Sequence, residues 1–559
     1  MFMRFMALVF FAFLNLTVLN GWAENVAKSQ DAFARVNDIF SKWDNYKSPG
    51  CAAGVYRAGR IILRRGYGMA DLDHNARIEP STVFHVASIS KQFTAASVIL
   101  LSLDGKLQLD DLVRKYIPEL PDFGAPLTIR QLIHHTSGLR DQWDLLELAG
   151  WRYSLDLITN HDVLTLVARQ KTLNFPSGSR YMYCNTGYTL LGEIVKRVSG
   201  ESLREYTTHH IFEPLGMDQT HFRDHHAELV PGMAVGYVPT GGTFEISITN
   251  FDTVGATSLL TTVEDLQKWD ENFYSPRVGG TALVEMMVKP GTLNNGEVLK
   301  YASGLNVTTY RGLPVVDHGG SDAGYRSDLI RFPEQHFSVA VLCNDASAVP
   351  SDLVRKVAEV YLGDLMQANP EIQPAHIVQL TEEQLRSKIG VYLNPDGDQI
   401  GEINLKDGNL QVAMGGNGPG VPLIPLSENR FRLESAPVEF VFLARADGQK
   451  EFEVMRAGEK PAIYDRLPPF DPSTARLADF AGTYHSEEMD ALYRFVVEQD
   501  KLILRRLNNP DETLKMKAPD CFMSDLGMME FIRDASRQVT GFVLNSGRIR
   551  NFQFARGRR

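Results

Sequence analysis

Apolar and polar positions alternate with two different patterns along the chain, and the point where the pattern changes divides the chain into two regions. Up to about residue 365, helical spacing of apolar residues alternates with short apolar runs that indicate strands. Beyond about residue 370, short alternating stretches are separated by Gly, Asn and Asp turns, which is typical of all-β structure. The strand-like runs of the first region are Ala52–Val55, Ile61–Tyr67, Val315–His318, Leu329–Phe332 and Phe337–Cys343. We therefore predict an α+β region followed by an all-β region.

The all-β region contains two copies of one pattern, offset by 92 residues. The recurring positions are Leu385, Gly390, Tyr392 and Leu410 in the first copy and Leu477, Gly482, Tyr484 and Leu502 in the second. A period this long indicates a duplicated domain rather than a solenoid. Neither copy has a catalytic cluster. The two copies either cover the first region, or restrict access to its cleft, or bind a partner.

The first 23 residues have the pattern of a secretory signal peptide. Arg4 is followed by the apolar run Phe5–Leu19, and small residues flank a cleavage site after Ala23. The alternative is an N-terminal membrane anchor, but the apolar run is short for a spanning helix. We therefore expect export to the periplasm or the medium, with no transmembrane segment after cleavage.

Proline-rich joints complete the predicted division of the chain. Pro370 and Pro374 mark one joint and residues 467–472 the other. The predicted parts are a signal peptide (1–23), a first domain (24–366), a linker (367–380), a first barrel (381–467), a second linker (468–475) and a second barrel (476–559).

Composition excludes several classes of protein. The 559 residues include 57 Lys and Arg against 68 Asp and Glu, a formal net charge of −11. Hydrophobic residues make up 44% and charged residues 22%, which excludes a disordered, collagen-like or coiled-coil chain. The acidic balance argues against a nucleic-acid partner, which would need a surplus of Lys and Arg. Composition leaves the oligomeric state open.

Four cysteines are too few for a disulfide scaffold in a chain of this length. Cys51 begins one predicted strand and Cys343 ends another, so the two could be neighbours in a sheet. Export would permit a disulfide. The interpretation we favour from the sequence is that the cysteines are independent buried thiols.

Ser88 and Lys91 form a Ser-x-x-Lys pattern at the start of a predicted helix that is apolar nearly all round and should be buried. A spacing of three puts both side chains on one face. The helix dipole at Ser88 would favour developing negative charge. Burial should lower the pKa of Lys91 and let it act as a base. Taken alone, the pattern also fits a Ser cap followed by a solvated Lys.

A second short motif is Tyr183-Cys184-Asn185, which precedes another predicted helix. A loop tyrosine held near Lys91 could relay protons, and Asn185 could hydrogen-bond a substrate amide. On its own, a Tyr-x-Asn motif is usually a turn.

The third motif, His318-Gly319-Gly320-Ser321, ends an apolar strand. Glycine there lets a ligand approach the backbone closely. The N–H groups of Ser321 and Ser88 could then form an oxyanion hole. The alternative is a glycine-rich strand end with an incidental histidine.

Taken together and in this order, the motifs resemble those of the penicillin-recognising serine hydrolases. This family includes class C β-lactamases, D-alanyl-D-alanine carboxypeptidases, D-aminopeptidases and related esterases. Its pattern is Ser-x-x-Lys, Tyr-x-Asn and Lys/His-x-Gly, and three flanking segments match as well: Ile133–Leu139, Ile211–Met217 and Thr262–Leu266 with Trp269. The resemblance covers about residues 30–365. It implies a β-lactamase/transpeptidase-like antiparallel sheet flanked by helices. The repeated β regions resemble the small lipocalin-like barrels attached to some secreted serine hydrolases.

The resemblance also implies a role for each motif residue in acyl transfer through a covalent acyl-enzyme. Water would deacylate the enzyme with the help of the motif tyrosine. In the implied mechanism Ser88 is the nucleophile, and Lys91 and Tyr183 share the role of base. The N–H groups of Ser88 and Ser321 form the oxyanion hole, and Asn185 orients the acyl side of the substrate. The side of the cleft that receives a substrate carboxylate or the leaving group is lined by His318, Gly319 and Gly320, and His318 also polarises Tyr183.

No metal or cofactor is expected. The pairs His134-His135 and His225-His226 lack partners at zinc spacing, and we expect them to be surface or cap residues.

His318 stands where typical class C β-lactamases have Lys, and a histidine carries full charge only part of the time near neutral pH. The expected substrates are therefore small-molecule or peptidoglycan-derived peptides, amides containing D-amino acids, or esters. One alternative is a β-lactamase. The other is a penicillin or peptidoglycan sensor that is acylated without turnover.

Overall fold

The computed structural model describes residues 30–153, 155–368, 377–394, 399–415, 420–434, 436–445, 448–456 and 460–557. The predicted signal peptide and the Pro370/Pro374 joint lie outside the described residues. Within the described part of the chain, no helix is both long and apolar enough to cross a membrane.

The first region is built on a six-stranded antiparallel sheet in the order β10-β11-β12-β13-β1-β2. All five strand-like runs predicted from the sequence lie in this sheet. The strands of the first region are β1 Cys51–Arg57, β2 Arg60–Tyr67, β3 Met69–Asp71, β4 Ala76–Arg77, β5 Phe84–His85, β6 His221–Phe222, β7 Tyr237–Thr240, β8 Thr243–Ile246, β9 Leu259–Thr261, β10 Asn306–Tyr310, β11 Leu313–Asp322, β12 Tyr325–Phe332 and β13 Phe337–Cys343.

Helices cover both faces of this sheet. Side chains alternate along β1, so Ala53 and Val55 pack with Phe40 and Val354 on one face, while Ala52 and Tyr56 join the helical core on the other. The helices are α1 (30–40), α2 Ser90–Leu103, α3 Ile129–Ile133, α4 Gln142–Leu148, α5 Asn160–Ala168, α6 Asn185–Ser199, α7 Leu203–Thr207, α8 Glu213–Leu215, α9 Val263–Glu271, α10 Gly280–Val288 and α11 Pro350–Leu362.

Cys51 and Cys343 form a disulfide, so the expectation of independent thiols was wrong for this pair. The two residues are register partners on β1 and β13, the strands at the two ends of the first region. Cys184 and Cys521 are free and buried, as expected for thiols that pack as small apolar groups.

Two all-β units follow, in agreement with the predicted fold class. The first is a closed barrel of eight strands, and the second is a nine-stranded sheet. Their elements are α12 Glu382–Arg386, β14 Gly390–Asn394, β15 Gln399–Lys406, β16 Asn409–Met414, β17 Val421–Pro425, β18 Arg430–Leu433, β19 Glu439–Ala444, β20 Lys450–Met455, β21 Ala462–Arg466, β22 Gly482–Ser486, β23 Ala491–Glu498, β24 Lys501–Arg506, β25 Glu512–Thr513, β26 Lys515–Ala518, β27 Cys521–Ser524, β28 Gly527–Arg533, β29 Val539–Ser546 and β30 Ile549–Arg556.

Equivalent residues of the two copies make equivalent contacts. The phenol of Tyr392 donates to Lys388 O at 2.8 Å, and that of Tyr484 donates to Phe480 O at 2.9 Å. A buried tyrosine thus ties each first strand to the turn that precedes it. The shared contact explains why the same residue recurs after 92 positions.

Candidate active site

The site begins at a tight turn that presents Ser88. A 3₁₀ turn, Ala87–Ile89, leads directly into α2, and Ala87 has φ +48°. This left-handed conformation is unfavourable for alanine, and such backbone strain clusters at functional sites. Ser88 is half-buried, whereas its neighbours in the turn are buried. The serine hydroxyl therefore faces the cavity while the turn is held in the core.

Lys91 lies one helical turn after Ser88 and is completely buried. Its Nζ contacts Ser88 Oγ at 3.0 Å, Asn185 Oδ1 at 2.9 Å and Ala256 O at 2.6 Å. Burial lowers the pKa of Lys91 to about 7, against an opposing contribution from Asp141. A neutral amine has a lone pair that can receive the Ser88 proton, so Lys91 is equipped to act as a base near neutral pH.

Tyr183 lies against Lys91, with Nζ 4.9 Å from the ring centroid. Burial raises the pKa of Tyr183 above its ordinary value, and a hydrogen bond with Ser88 opposes that shift. The phenol therefore keeps its proton near neutral pH. It can pass a proton between Ser88 and a leaving group, but it is a poor candidate for the initial base.

Asn185, the first residue of α6, already has protein partners for both ends of its amide. Its Oδ1 accepts from Lys91, and its Nδ2 donates to Asp141 Oδ2 at 3.0 Å. The Asn185 backbone N–H donates to the same carboxylate oxygen at 2.6 Å. Because a carboxylate can only accept, Asp141 fixes the orientation of the amide and turns its oxygen toward Lys91.

Arg548, from the second β unit, supplies the charge that balances Asp141. It lies in the turn between β29 and β30, with Nη2 2.9 Å from Asp141 Oδ1 and 3.0 Å from Asp144 Oδ1. Burial alone would lower the pKa of Arg548, but the two carboxylates raise it above its ordinary value. A chain of contacts thus runs from the second β unit through Asp141 and Asn185 to Lys91.

His318 is buried and makes contacts different from those predicted. Its Nε2 lies 3.1 Å from the Tyr301 hydroxyl, and its Nδ1 lies 2.6 Å from Gly319 O. Since a carbonyl only accepts, Nδ1 carries the proton and the Tyr301 hydroxyl donates to Nε2. Burial lowers the pKa of His318 to about 3, so the ring is neutral. The phenol that hydrogen-bonds to His318 is therefore that of Tyr301 and not that of Tyr183.

Strand β11 approaches the Ser88 turn most closely at Gly320. A Cβ added there would lie 2.3 Å from Val86 O and 2.5 Å from Ser327 Oγ. Only glycine allows this approach, which brings the backbone of Ser321 next to the turn that bears Ser88. The arrangement has the elements of an oxyanion hole made from two backbone N–H groups.

The predicted site residues converge on one cavity of about 800 Å³. Among the residues that line it are Ser88, Tyr183, Asn185, His318, Gly319, Gly320 and Ser321. Lys91 lies directly behind Ser88. Sequence reasoning missed Asp141, Thr257, Tyr301, Asp322 and Arg548, none of which belongs to a recognisable local motif.

His134 and His135, expected to be surface or cap residues, are both buried, so neither is a surface residue. His134 is the C-cap of α3, which agrees with the alternative of a cap. His135 Nδ1 accepts from the Cys184 backbone N–H at 3.0 Å, and its ring lies 4.2 Å from that of Tyr183. In the described residues, no cluster of three or more His, Cys, Asp or Glu side chains could hold a metal ion.

Comparison with known proteins identifies related sequences and folds. The family model described as Beta-lactamase matches residues 33–362. A D-aminopeptidase of Cereibacter sphaeroides (strain ATCC 17023) is 32% identical over 313 residues, which are 54% of this chain and 58% of the relative. This chain thus spans less than two thirds of that relative's length. A D-aminopeptidase of Brucella canis is 28% identical over 459 residues, which are 80% of this chain and 81% of that protein.

A solved structure shares the fold over a large part of the chain. It is the octameric penicillin-binding protein homologue from Pyrococcus abyssi, with a TM-score of 0.55 and 24% identity. The match covers 78% of this chain and 99% of that one.

Proposed function

Because the chain belongs to the Beta-lactamase family, we propose that it hydrolyses amide or ester bonds through an acyl-enzyme on Ser88. The chain is a serine hydrolase related to β-lactamases, and curated relatives are named D-aminopeptidase. The observation that carries the proposal is the 3.0 Å contact between Ser88 Oγ and the buried Lys91 Nζ. It pairs a nucleophile with a base whose pKa is lowered to about 7.

In the proposed reaction, neutral Lys91 takes the hydroxyl proton as Ser88 Oγ bonds to the substrate carbonyl carbon. The backbone N–H groups of Ser88 and Ser321 stabilise the oxyanion. The C–N or C–O bond then breaks, and Tyr183 relays a proton from Lys91 to the leaving group. A water molecule attacks the acyl-enzyme in a second round of the same transfers, which frees the acid and restores the Ser88 hydroxyl.

The neutral state of His318 favours peptides, amides and esters over β-lactams. A buried, uncharged imidazole cannot offer a substrate carboxylate the full positive charge that a lysine would. We therefore propose substrates with a D-amino-acid residue on the acyl side, or simple esters. With either class of substrate, Tyr183 relays protons and Asn185 orients the acyl side.

Export is part of the proposal. The N-terminal pattern of Arg4 followed by Phe5–Leu19 supports a cleaved signal. The Cys51–Cys343 disulfide fits an oxidising compartment such as the periplasm or the medium. The predicted domain limits stay as given from the sequence.

The test compares purified wild type with Ser88→Ala on three probes: D-alanine p-nitroanilide, p-nitrophenyl acetate and a chromogenic cephalosporin. We expect wild type to turn over the first two, and Ser88→Ala to lose about 10³-fold or more in kcat. Efficient turnover of the cephalosporin alone would instead identify a β-lactamase.

Mass spectrometry after mixing with substrate separates an enzyme from a sensor. We expect the wild-type mass to return quickly to its unmodified value. A persistent adduct on Ser88 would identify a protein that is acylated without turnover. Unchanged hydrolysis in Ser88→Ala would overturn the mechanism.

A further inference from the structure

Asp322 is a buried carboxyl that lines the catalytic cavity and has no role in the mechanism above. It is the last residue of β11, two positions after Gly320. Because side chains alternate along a strand, Asp322 projects from the same face as Gly320 and His318. That face packs against the Ser88 turn, as the close approach of Gly320 to Val86 demonstrates. Asp322 therefore belongs to the reacting side of the sheet.

Among the described residues, no cation contacts the Asp322 carboxylate directly, although Lys91 and Arg326 lie near enough to act on its pKa. Its Oδ2 accepts from Thr257 Oγ1 at 2.6 Å. The ion-pair contact that the described residues give it is His85 Nε2, 3.9 Å away. Burial lowers the pKa of His85 to about 3, so that imidazole is neutral. Arg326, the nearby cation, directs its Nη1 to the carbonyl oxygens of Ala323 and Tyr325 instead.

In the proposed mechanism His318 lines the side of the cavity that receives the leaving group, so Asp322, farther along β11, would lie on the acyl side of the reacting carbonyl. Four residues of extended strand separate it from His318, which is about 13 Å at 3.3 Å per residue. The carbonyl oxygen would bind at the N–H of Ser321, immediately before Asp322. A group attached to the carbon next to the carbonyl would then lie beside Asp322, whereas the leaving group would lie toward His318.

We propose that Asp322 binds the free α-ammonium group of the residue that acylates Ser88, and so selects substrates with an unblocked amino terminus. This inference rests on the proposed hydrolase function and names the group that its substrates must carry. The α-ammonium nitrogen is two bonds from the reacting carbonyl carbon, which is compatible with the step of one residue between Ser321 and Asp322. The Thr257 hydroxyl, which also lines the cavity, orients the carboxylate.

The electrostatics of the cavity support the same assignment. Burial raises the pKa of Asp322 to about 7, while Lys91 and Arg326 oppose the shift. A buried carboxylate gains stability when a cation arrives within hydrogen-bonding distance. A substrate with an acylated or missing amino group brings no such charge, and it leaves the buried carboxyl without a cationic partner.

The experiment measures kcat/KM for the D and L enantiomers of alanine p-nitroanilide and for propionyl p-nitroanilide. The propionyl compound has the same shape but no amino group. We expect wild type to favour the alanine substrate at least tenfold. Asp322→Asn should lower this ratio at least tenfold, because its amide keeps the Thr257 hydrogen bond but loses the charge. The matched control is Asp328→Asn. Asp328 is a buried carboxyl that lines the same cavity, and its register partner on β11 is Gly319, which lies on the face opposite to Asp322. The ratio of the two kcat/KM values for Asp328→Asn should therefore equal that of wild type.

Inhibition of wild-type ester hydrolysis supplies a readout that depends neither on turnover of the anilides nor on the folding of a variant. Alanine amide should inhibit wild-type hydrolysis of p-nitrophenyl acetate more strongly than propionamide does. An equal loss on both anilides in Asp322→Asn, or no preference for the amino group in wild type, would overturn the inference. If wild type hydrolyses neither the anilides nor the ester, the proposed function itself fails. Ester hydrolysis without amine discrimination refutes the role of Asp322 alone.

Discussion

At the scale of single residues, burial determines what each ionisable group of the site can do. Lys91 and Tyr183 lie in contact with each other, yet burial shifts their pKa values in opposite directions. The pKa of Lys91 falls to about 7, so it can accept a proton, while that of Tyr183 rises, so it holds its own. In the proposed mechanism the two groups therefore have distinct roles near neutral pH: Lys91 takes the Ser88 proton and Tyr183 relays it.

Lys91 should impose an acid limb on the pH profile. Because the base must be neutral, we expect kcat/KM for p-nitrophenyl acetate to rise with pH and level off above about 7. The charged groups that act on Lys91 include Asp141, Arg548 and Asp322. Since Asp322 raises the pKa of Lys91, Asp322→Asn should move the limb to lower pH. A profile that is flat from pH 5 to pH 9 would contradict the assignment of Lys91 as base.

At the scale of elements, the site is formed where the end of β11 meets the Ser88 turn. Two adjacent glycines on β11 have different surroundings. At Gly320 an added Cβ meets Val86 O at 2.3 Å, but at Gly319 the nearest atom is Asp328 Oδ2 at 3.4 Å. The first glycine is required for the approach of the two elements, whereas the second has room for a methyl group.

The two glycines provide a matched pair of variants. Gly320→Ala should push β11 away from the turn and displace the Ser321 N–H, with a loss of about 10²-fold to 10³-fold in kcat. Gly319→Ala should stay within a few-fold of wild type. Steady-state kinetics with p-nitrophenyl acetate, together with Tm measurements to check folding, tests both. Equal kcat values for the two variants would exclude the proposed oxyanion hole.

The disulfide and the duplicated β units also belong to the element scale. The duplication was visible in the sequence, because recurring tyrosines are local features. The two cysteines were visible only as residues at strand ends, and the disulfide between them was not the interpretation we favoured. Pairing of Cys51 with Cys343 required the knowledge that β1 lies beside β13, and only the sheet order provides it.

At the scale of the whole molecule, the second β unit takes part in the catalytic cavity. Arg140 of the first region, which is buried, pairs with Glu488 at 2.9 Å, and the Tyr493 hydroxyl donates to Leu148 O at 2.9 Å. These contacts hold the β29–β30 turn at the cavity, where Arg548 reaches Asp141. Arg548 lines the cavity itself, a role that was not among those considered from the sequence, which were covering the first region, restricting access to its cleft and binding a partner.

Removal of the Arg548 charge should therefore lower the rate of hydrolysis at Ser88, although Ser88 lies in the first region and Arg548 in the second β unit. Arg548→Ala leaves buried Asp141 without its cation, which should disturb Asn185 and Lys91 and lower kcat for p-nitrophenyl acetate about tenfold or more. Arg548→Lys should recover part of the loss. The control is Arg505→Ala, because Arg505 forms exposed ion pairs with Glu498 and Asp511 in the same β unit. Wild-type kinetics in Arg548→Ala would mean that this unit merely covers the first region.

Sequence by itself was sufficient for five of the six sheet strands, the buried α2, the duplication and the motifs around Ser88, Lys91, Tyr183, Asn185 and His318. These features depend on the spacing of residues that are close in sequence, because that spacing determines which face of a strand or helix each side chain occupies. It could not supply the partners of those motifs. Asp141 lies 44 residues from Asn185, and Arg548 lies 404 residues from Asp144.

Only the tertiary structure decided which groups meet in the cavity and in which charge state. Three contacts depend on packing between distant segments: Arg548 with Asp141, the neutral His318 with Tyr301, and Asp322 with Thr257. The physical reason is that desolvation and charge pairing act through space, so the pKa of a buried group is set by neighbours that the order of residues along the chain does not reveal.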